Sequence, residues 1–128
     1  MVVDTSALVA IMLMEPDRSL LEEKLSSANA RTISAVSYME AGMVLTTYFG
    51  EAGELKLDQM LFLADISVLP VTQTQAKLAL AAFRQYGKGR HPASLNFGDC
   101  FSYALAKSSA QPLLFKGHDF PKTDIPIA

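Results

Sequence analysis

Met1-Val2-Val3-Asp4-Thr5-Ser6 opens the chain with an apolar run that stops on a carboxylate and two hydroxyls before Ala7 resumes the apolar pattern. The run reads as a short buried strand, because adjacent β-branched residues suit a sheet covered on both faces. Asp4 then stands at the strand's carboxyl end. In an open parallel sheet, ligands bind in the crevice outside that end. The groups that converge with Asp4 therefore decide what such a fold can do.

Outward from that strand, helical and extended patterns alternate. Ser6 can cap a short apolar helix over Ala7 to Leu13, and Pro16 with Asp17 marks a second helix from Glu15 or Pro16 to about Ser27, with Leu20, Leu21, Leu25 and Ala28 as its apolar stripe. Arg31 to Ser34 is strand-like. Ser34 or Ser37 can cap a helix ending near Gly50, and a further helix is predicted over Glu54 to Asp65, then a strand over Ile66 to Val71. A helix from about Thr74 to Tyr86 carries Ala76, Ala79, Leu80 and Phe83 on one face, and Gly87 ends it. Gly87 to Asn96 is an irregular basic loop, Gly98 to Ser109 a helix, Pro112 to Phe115 a strand, and Thr123 to Ile127 an edge strand limited by Pro126. Strands separated by helices predict a mostly parallel sheet with helices on both faces, an α/β fold in three layers.

A chain of 128 residues, half of them hydrophobic, predicts one domain over 1–128. Lys and Arg number 11 against 13 Asp and Glu, so net charge alone argues weakly against a nucleic-acid partner. An acidic centre bound to metal would nevertheless leave a positive remainder. The single cysteine, Cys100, excludes an internal disulfide, and no apolar run approaches the ~18 residues of a membrane span. A cytoplasmic protein with no targeting segment and no membrane is expected.

Several carboxylates depart from ordinary surface placement. Glu40 has Val36, Met43 and Val44 as helical neighbours, an apolar face on which a carboxylate is costly unless paired, protonated or bound to a cation. Alone it could also be an edge residue that reaches solvent. Asp99, after Gly98, has the position of a helix cap, and Asp119, past Leu113-Leu114-Phe115, that of a turn former. Together with Asp4 these residues fall at strand carboxyl ends or in the first turns of helices, on one edge of an α/β sheet. Gathered carboxylates repel one another, and hard divalent cations relieve that repulsion, magnesium or manganese best of all. Zinc would ask for Cys and His at chelating spacing, which Cys100, His91 and His118 do not offer.

These residues resemble the PIN-domain ribonucleases, specifically the VapC toxins of bacterial toxin–antitoxin pairs. The resemblance spans the chain: Met1-Val2-Val3-Asp4-Thr5-Ser6-Ala7-Leu8, then Ser37 to Glu40, then Leu95-Asn96-Phe97-Gly98-Asp99-Cys100-Phe101-Ser102-Tyr103-Ala104-Leu105-Ala106, and last Pro112 to Gly117 with Asp119-Phe120 and Thr123-Asp124-Ile125. It implies a PIN-like fold and a magnesium-dependent endoribonuclease in which Asp4, Glu40, Asp99 and Asp119 hold the metal that activates water, with Thr5 or Ser6 assisting. Many relatives carry an acid at the position of Gly117 or His118. Here Asp119 serves, or three acids and water complete the site; Asp124 is a lesser candidate. The resemblance also implies an RNA substrate, a cognate antitoxin whose C-terminal segment fills the groove, and a homodimer that can extend to a higher toxin–antitoxin complex.

Acids cannot attract RNA, so a basic rim is required, and Lys88, Arg90, His91, Lys116 and Lys122 are its candidates. The competing reading is a PIN-like RNA-binding or scaffold module that does not cleave. A DNA-directed nuclease would call for added clamping elements, and a phosphoacceptor domain for adjacent acids after the first strand; the chain has neither.

Overall fold

Val2 and Val3 are both fully buried and point to opposite faces of one sheet, as successive strand residues must. The computed structural model describes residues 1–128, and in it these two valines form β1 (Val2–Val3), flanked by β2 (Arg31–Ser34) and β4 (Leu113–Leu114), with β3 (Ile66–Leu69) beyond β2. All pairings are parallel, in the order β3-β2-β1-β4. The helices are α1 (Thr5–Met12), α2 (Arg18–Ser26), α3 (Ala35–Phe49), α4 (Ala52–Leu63), α5 (Gln73–Tyr86) and α6 (Phe97–Ser109), and a short 3-10 helix covers Phe120–Lys122. Val3 and Leu114 pack under α1 to α4, whereas Val2 and Leu113 pack under α5 and α6. The result is the three-layer α/β/α arrangement.

Strand order positions the crevice. The chain steps from β1 outward to β2 and β3, then returns to lay β4 on the other side of β1. That reversal is a topological switch point, and its crevice opens at the carboxyl ends of β1 and β4. Asp4 directly follows β1, and Asp119 follows β4 by way of Gly117, whose φ of 113° suits a residue without a Cβ.

Three predicted faces differ from those observed. In α2 the buried residues are Leu21 and Leu25, while Leu20 is 54% exposed. In α5 the core takes Ala79, Ala82 and Tyr86, and the two alanines let α5 lie close to α6. Leu80 and Phe83 instead line an open apolar groove of about 380 Å³ with Phe97, Cys100 and Phe101. In α3 the core face is Ser37, Ala41 and Leu45, so Glu40 does not share a buried face with Met43, which is 60% exposed. In α3 and α5 apolar residues occur on more than one side, which leaves the buried side to be chosen by the neighbouring elements. The predicted tail strand is a single bridge: Leu113 donates its N–H to the carbonyl of Pro126 and accepts from the N–H of Ala128.

Candidate active site

Local signals bring each acid to the crevice. Asp4 has an extended backbone and caps α1, its Oδ2 accepting from the amide of Ser6 at 2.9 Å and from the hydroxyl of Ser6 at 2.6 Å. Its Oδ1 accepts from the Ser102 hydroxyl at 2.6 Å, and the residue is only 3% exposed. Ser34 caps α3 through the amide of Val36, which sets Glu40 in the second turn of that helix. Asn96 and Asp99 form a reciprocal capping box at the start of α6, both bonds 2.9 Å, with the Asp99 Oδ2 accepting from the Asn96 amide. Asp99 is thus a cap, as its position suggests, and the cap uses one of its two oxygens.

Gly98 leaves room for the carboxylate of Glu40. A Cβ built there would collide with the carboxylate of Glu40, so a larger residue at 98 would make the Glu40 side chain swing away from the α6 start. The sequence offers Gly98 merely as a helix-start residue; its role appears only once α3 and α6 are packed. Thr5, with its hydroxyl 3.2 Å from the Ser37 carbonyl, also favours the charged form of Glu40.

Electrostatics tie the four acids together. Burial pushes the Asp99 carboxyl from 3.8 up to about 7, against the pull of the Asn96 amide, and the charges of Asp4, Glu40 and Asp119 add to the rise. Glu40 is raised first by burial and then by Asp4, with Thr5 opposing. Asp119 is exposed and its side chain makes no hydrogen bond, so it is not the turn former its position suggests. The four ion pairs of the chain are Arg18–Glu22, Lys107–Asp124, Lys116–Glu15 and Lys116–Asp17, and none reaches these acids.

Other predicted site residues are differently employed. Thr5 and Ser6, expected to assist with substrate, direct their hydroxyls to Ser37 and Asp4 within the protein. Lys116, expected on the basic rim, commits its ammonium to Glu15 and Asp17, the latter 3.1 Å away. His91 accepts from the Ala93 amide at 3.0 Å and sets its ring edge-on to Tyr86, shaping the loop. Lys122 donates to the Pro92 carbonyl at 3.1 Å, which joins that loop to the Asp119 segment. Lys88 is exposed and unpaired, and Arg90 lies over the Phe83 ring with its charge open to solvent. Asp124 is held by Lys107 and Tyr103 and is structural.

The donor set fits a hard divalent cation. All four candidate ligands are carboxylates, and the raised Asp99 and Glu40 mark negative charge that no protein cation balances. As the side chains stand, no three His, Cys, Asp or Glu groups form a ready-made metal cluster. A cation would have to draw the carboxylates together.

Comparison with known proteins gives the family and the fold. The family model described as PIN domain matches residues 1–126. The chain is 54% identical to "Ribonuclease VapC" of Mycolicibacterium smegmatis, covering 98% of this chain and 97% of the relative, and 52% identical to "Ribonuclease VapC30" of Mycobacterium tuberculosis, covering 98% and 95%. Among solved structures, its fold is similar to that of Mycobacterium tuberculosis VapC20, a "Sarcin-Ricin loop cleaving toxin", with TM-score 0.79 at 15% identity over 99% of this chain and 97% of the other. A toxin–antitoxin complex from Klebsiella pneumoniae matches with TM-score 0.73 at 18% identity, over 99% and 95%.

Proposed function

As the chain belongs to the PIN-domain family, among its VapC ribonucleases, we propose the following activity: it is the endoribonuclease toxin of a toxin–antitoxin pair, and it cleaves RNA with a magnesium ion that Asp4, Glu40, Asp99 and Asp119 would hold. One observation carries the metal reading. Four carboxylates gather at the switch-point crevice while every ion pair of the chain lies elsewhere. When bound, a divalent cation supplies Lewis acidity for the scissile phosphate and lowers the pKa of water.

The protein's own groups supply position and charge. Asp4, buried and held by three donors, is the fixed point of the cluster. Asp99 keeps Oδ1 free of the cap, and its carboxyl, raised by burial to about 7, shares its proton with solvent near neutrality, so a cation held there would displace that proton. Glu40 is seated against Gly98, and Asp119, exposed to solvent, acts on Asp99 through its charge. Lys88 and Arg90 are the rim cations left to meet RNA phosphates, so neutralising both should flatten the salt dependence of RNA binding.

The chain is read as acting in the cytoplasm as one domain, as a homodimer, with an antitoxin as its protein partner; no helix is long and apolar enough to cross a membrane. The deciding experiment is cleavage-site mapping on total RNA with magnesium and with EDTA. Discrete cuts that vanish in EDTA and return with added magnesium are expected. RNA binding without cleavage in magnesium would instead support the non-cleaving module.

A further inference from the structure

Beneath the acidic crevice lies a chain of hydroxyls that the proposed chemistry does not use. Ser37 and Ser102 are 0% and 1% exposed, and their Oγ atoms stand 3.0 Å apart, joining α3 to α6. Ser102 Oγ is also 2.6 Å from Asp4 Oδ1. An ionised carboxylate only accepts and a serine hydroxyl has one proton, so Ser102 donates to Asp4 and Ser37 donates to Ser102. On the other oxygen, Oδ2 accepts both the amide and the hydroxyl of Ser6, whose Oγ in turn accepts from the Lys116 amide at 3.0 Å. Three donors thus fill three of the roughly four lone-pair directions of a carboxylate. The direction left open is on Oδ1.

Other helix hydroxyls show what Ser102 does not do. Farther along α6, Ser109 and Ser108 donate back to the Leu105 carbonyl, at 2.7 and 3.1 Å, and Thr47 in α3 donates to the Met43 carbonyl. That back-bonding is the ordinary fate of a serine or threonine inside a helix. Ser102 instead crosses to β1. Its place in the chain is telling as well: Ser102 follows Asp99 by three positions, and Ser37 precedes Glu40 by three, so each serine lies one helical turn from an acid of the site.

We infer that Ser102, backed by Ser37, is a positioning residue for the cleavage site: it orients Asp4 so that a single Oδ1 lone pair faces a hard divalent cation, and it ties together the elements that carry Asp4, Glu40 and Asp99. The inference rests on the metal reading given above. Partners of this kind, bonded to a ligand rather than to the metal, typically alter metal affinity 10- to 100-fold when removed.

The test compares Ser102→Ala, Ser37→Ala and Asp4→Asn with the wild-type chain. Magnesium, and manganese in parallel, is titrated calorimetrically into each folded protein below its cation-free melting temperature, and single-turnover RNA cleavage is followed at saturating metal. Ser102→Ala is expected to weaken magnesium binding by about tenfold or more, with Ser37→Ala moving the same way by less. A packing defect alone would lower the melting temperature and leave the affinity of the native protein unchanged. If Asp4→Asn loses magnesium but Ser102→Ala binds it within about twofold of wild type, the positioning role falls and the metal reading stands. If Asp4→Asn also binds magnesium normally, both fall. Should Ser102→Ala not fold, the decision passes to Ser37→Ala, and an affinity within about 1.5-fold of wild type would overturn the inference.

Discussion

Helix α6 borders two carboxylates in opposite circumstances. At its start, Asp99 stands half-buried among Asp4, Glu40 and Asp119, and burial followed by their charges lifts its carboxyl to about 7. One and two turns farther on, Tyr103 and Lys107 grip Asp124 at 2.7 and 2.6 Å, and the Lys107 ammonium with the Tyr103 hydroxyl holds that carboxyl below its usual range. Both are aspartates within reach of the same helix. One has been given a cation by the fold; the other has been given only more acids. The difference separates a carboxylate that ties the C-terminal segment to the core from one whose charge remains to be balanced by something bound.

The largest effect should come from testing that division on catalysis. Asp99→Asn is expected to lower the magnesium-dependent cleavage rate by at least about a hundredfold, several kcal/mol of metal-linked stabilisation being lost. Asp124→Asn should stay within about twofold of wild type in the same initial-rate assay. Equal losses in both variants would erase the contrast.

Glu40→Gln should fall between these limits. It keeps the shape that meets Gly98 and removes the charge, so cleavage is expected to drop by about tenfold or more and to recover in part as magnesium is raised. The magnesium-induced rise in melting temperature should also be smaller than in wild type. Unchanged cleavage with an equal rise would remove Glu40 from the site.

Opposite shifts predict opposite pH dependences in the cation-free protein. The folded Asp99 pKa lies above its ordinary 3.8, so the folded state holds a proton that the unfolded state has released. Stability from this group is present below about 4 and is lost as pH rises to about 7. Asp124 runs the other way: its contribution is present above the ordinary 3.8 and is lost as pH falls through the lowered folded value. Melting temperatures across pH 3 to 8, roughly the span of both transitions, should show that Asp99→Asn flattens the neutral side and Asp124→Asn the acid side. Bound magnesium, which favours ionised Asp99, should weaken the neutral slope.

The smallest effect concerns the structural pair by itself. Lys107 and Asp124 are about half exposed, and water screens them, so Asp124→Asn should cost no more than about 1 kcal/mol in a denaturant titration. A larger loss would mean that the Tyr103 bond, rather than the ion pair, anchors the tail.

Much of the candidate site's placement was legible because its signals are local. A β-branched pair followed by Asp-Thr-Ser marks a buried strand and the cap of the next helix, and Asn96 with Asp99 three positions later is a capping box that needs no tertiary partner. Lys116 shows where such signals end. Its sequence neighbours give no hint of a partner, yet its ammonium meets Glu15, 101 positions earlier, because Lys116 follows β4 and Glu15 lies between α1 and α2 beside it. Ser102 was equally silent, a small polar residue in an apolar stretch until Asp4 is brought beneath it.

The sequence by itself determined the parallel three-layer architecture, the strand that ends on Asp4, and the four acids with their helix and strand termini, since capping, turn chemistry and hydrophobic runs are short-range properties of the chain. Only the tertiary structure decided which face of α3 and α5 is buried, which lysines keep a free charge, that Glu40 lies against Gly98, and which hydroxyl steadies Asp4. Periodicity states which residues share a face; packing between elements far apart in sequence chooses the face and the partners that meet it.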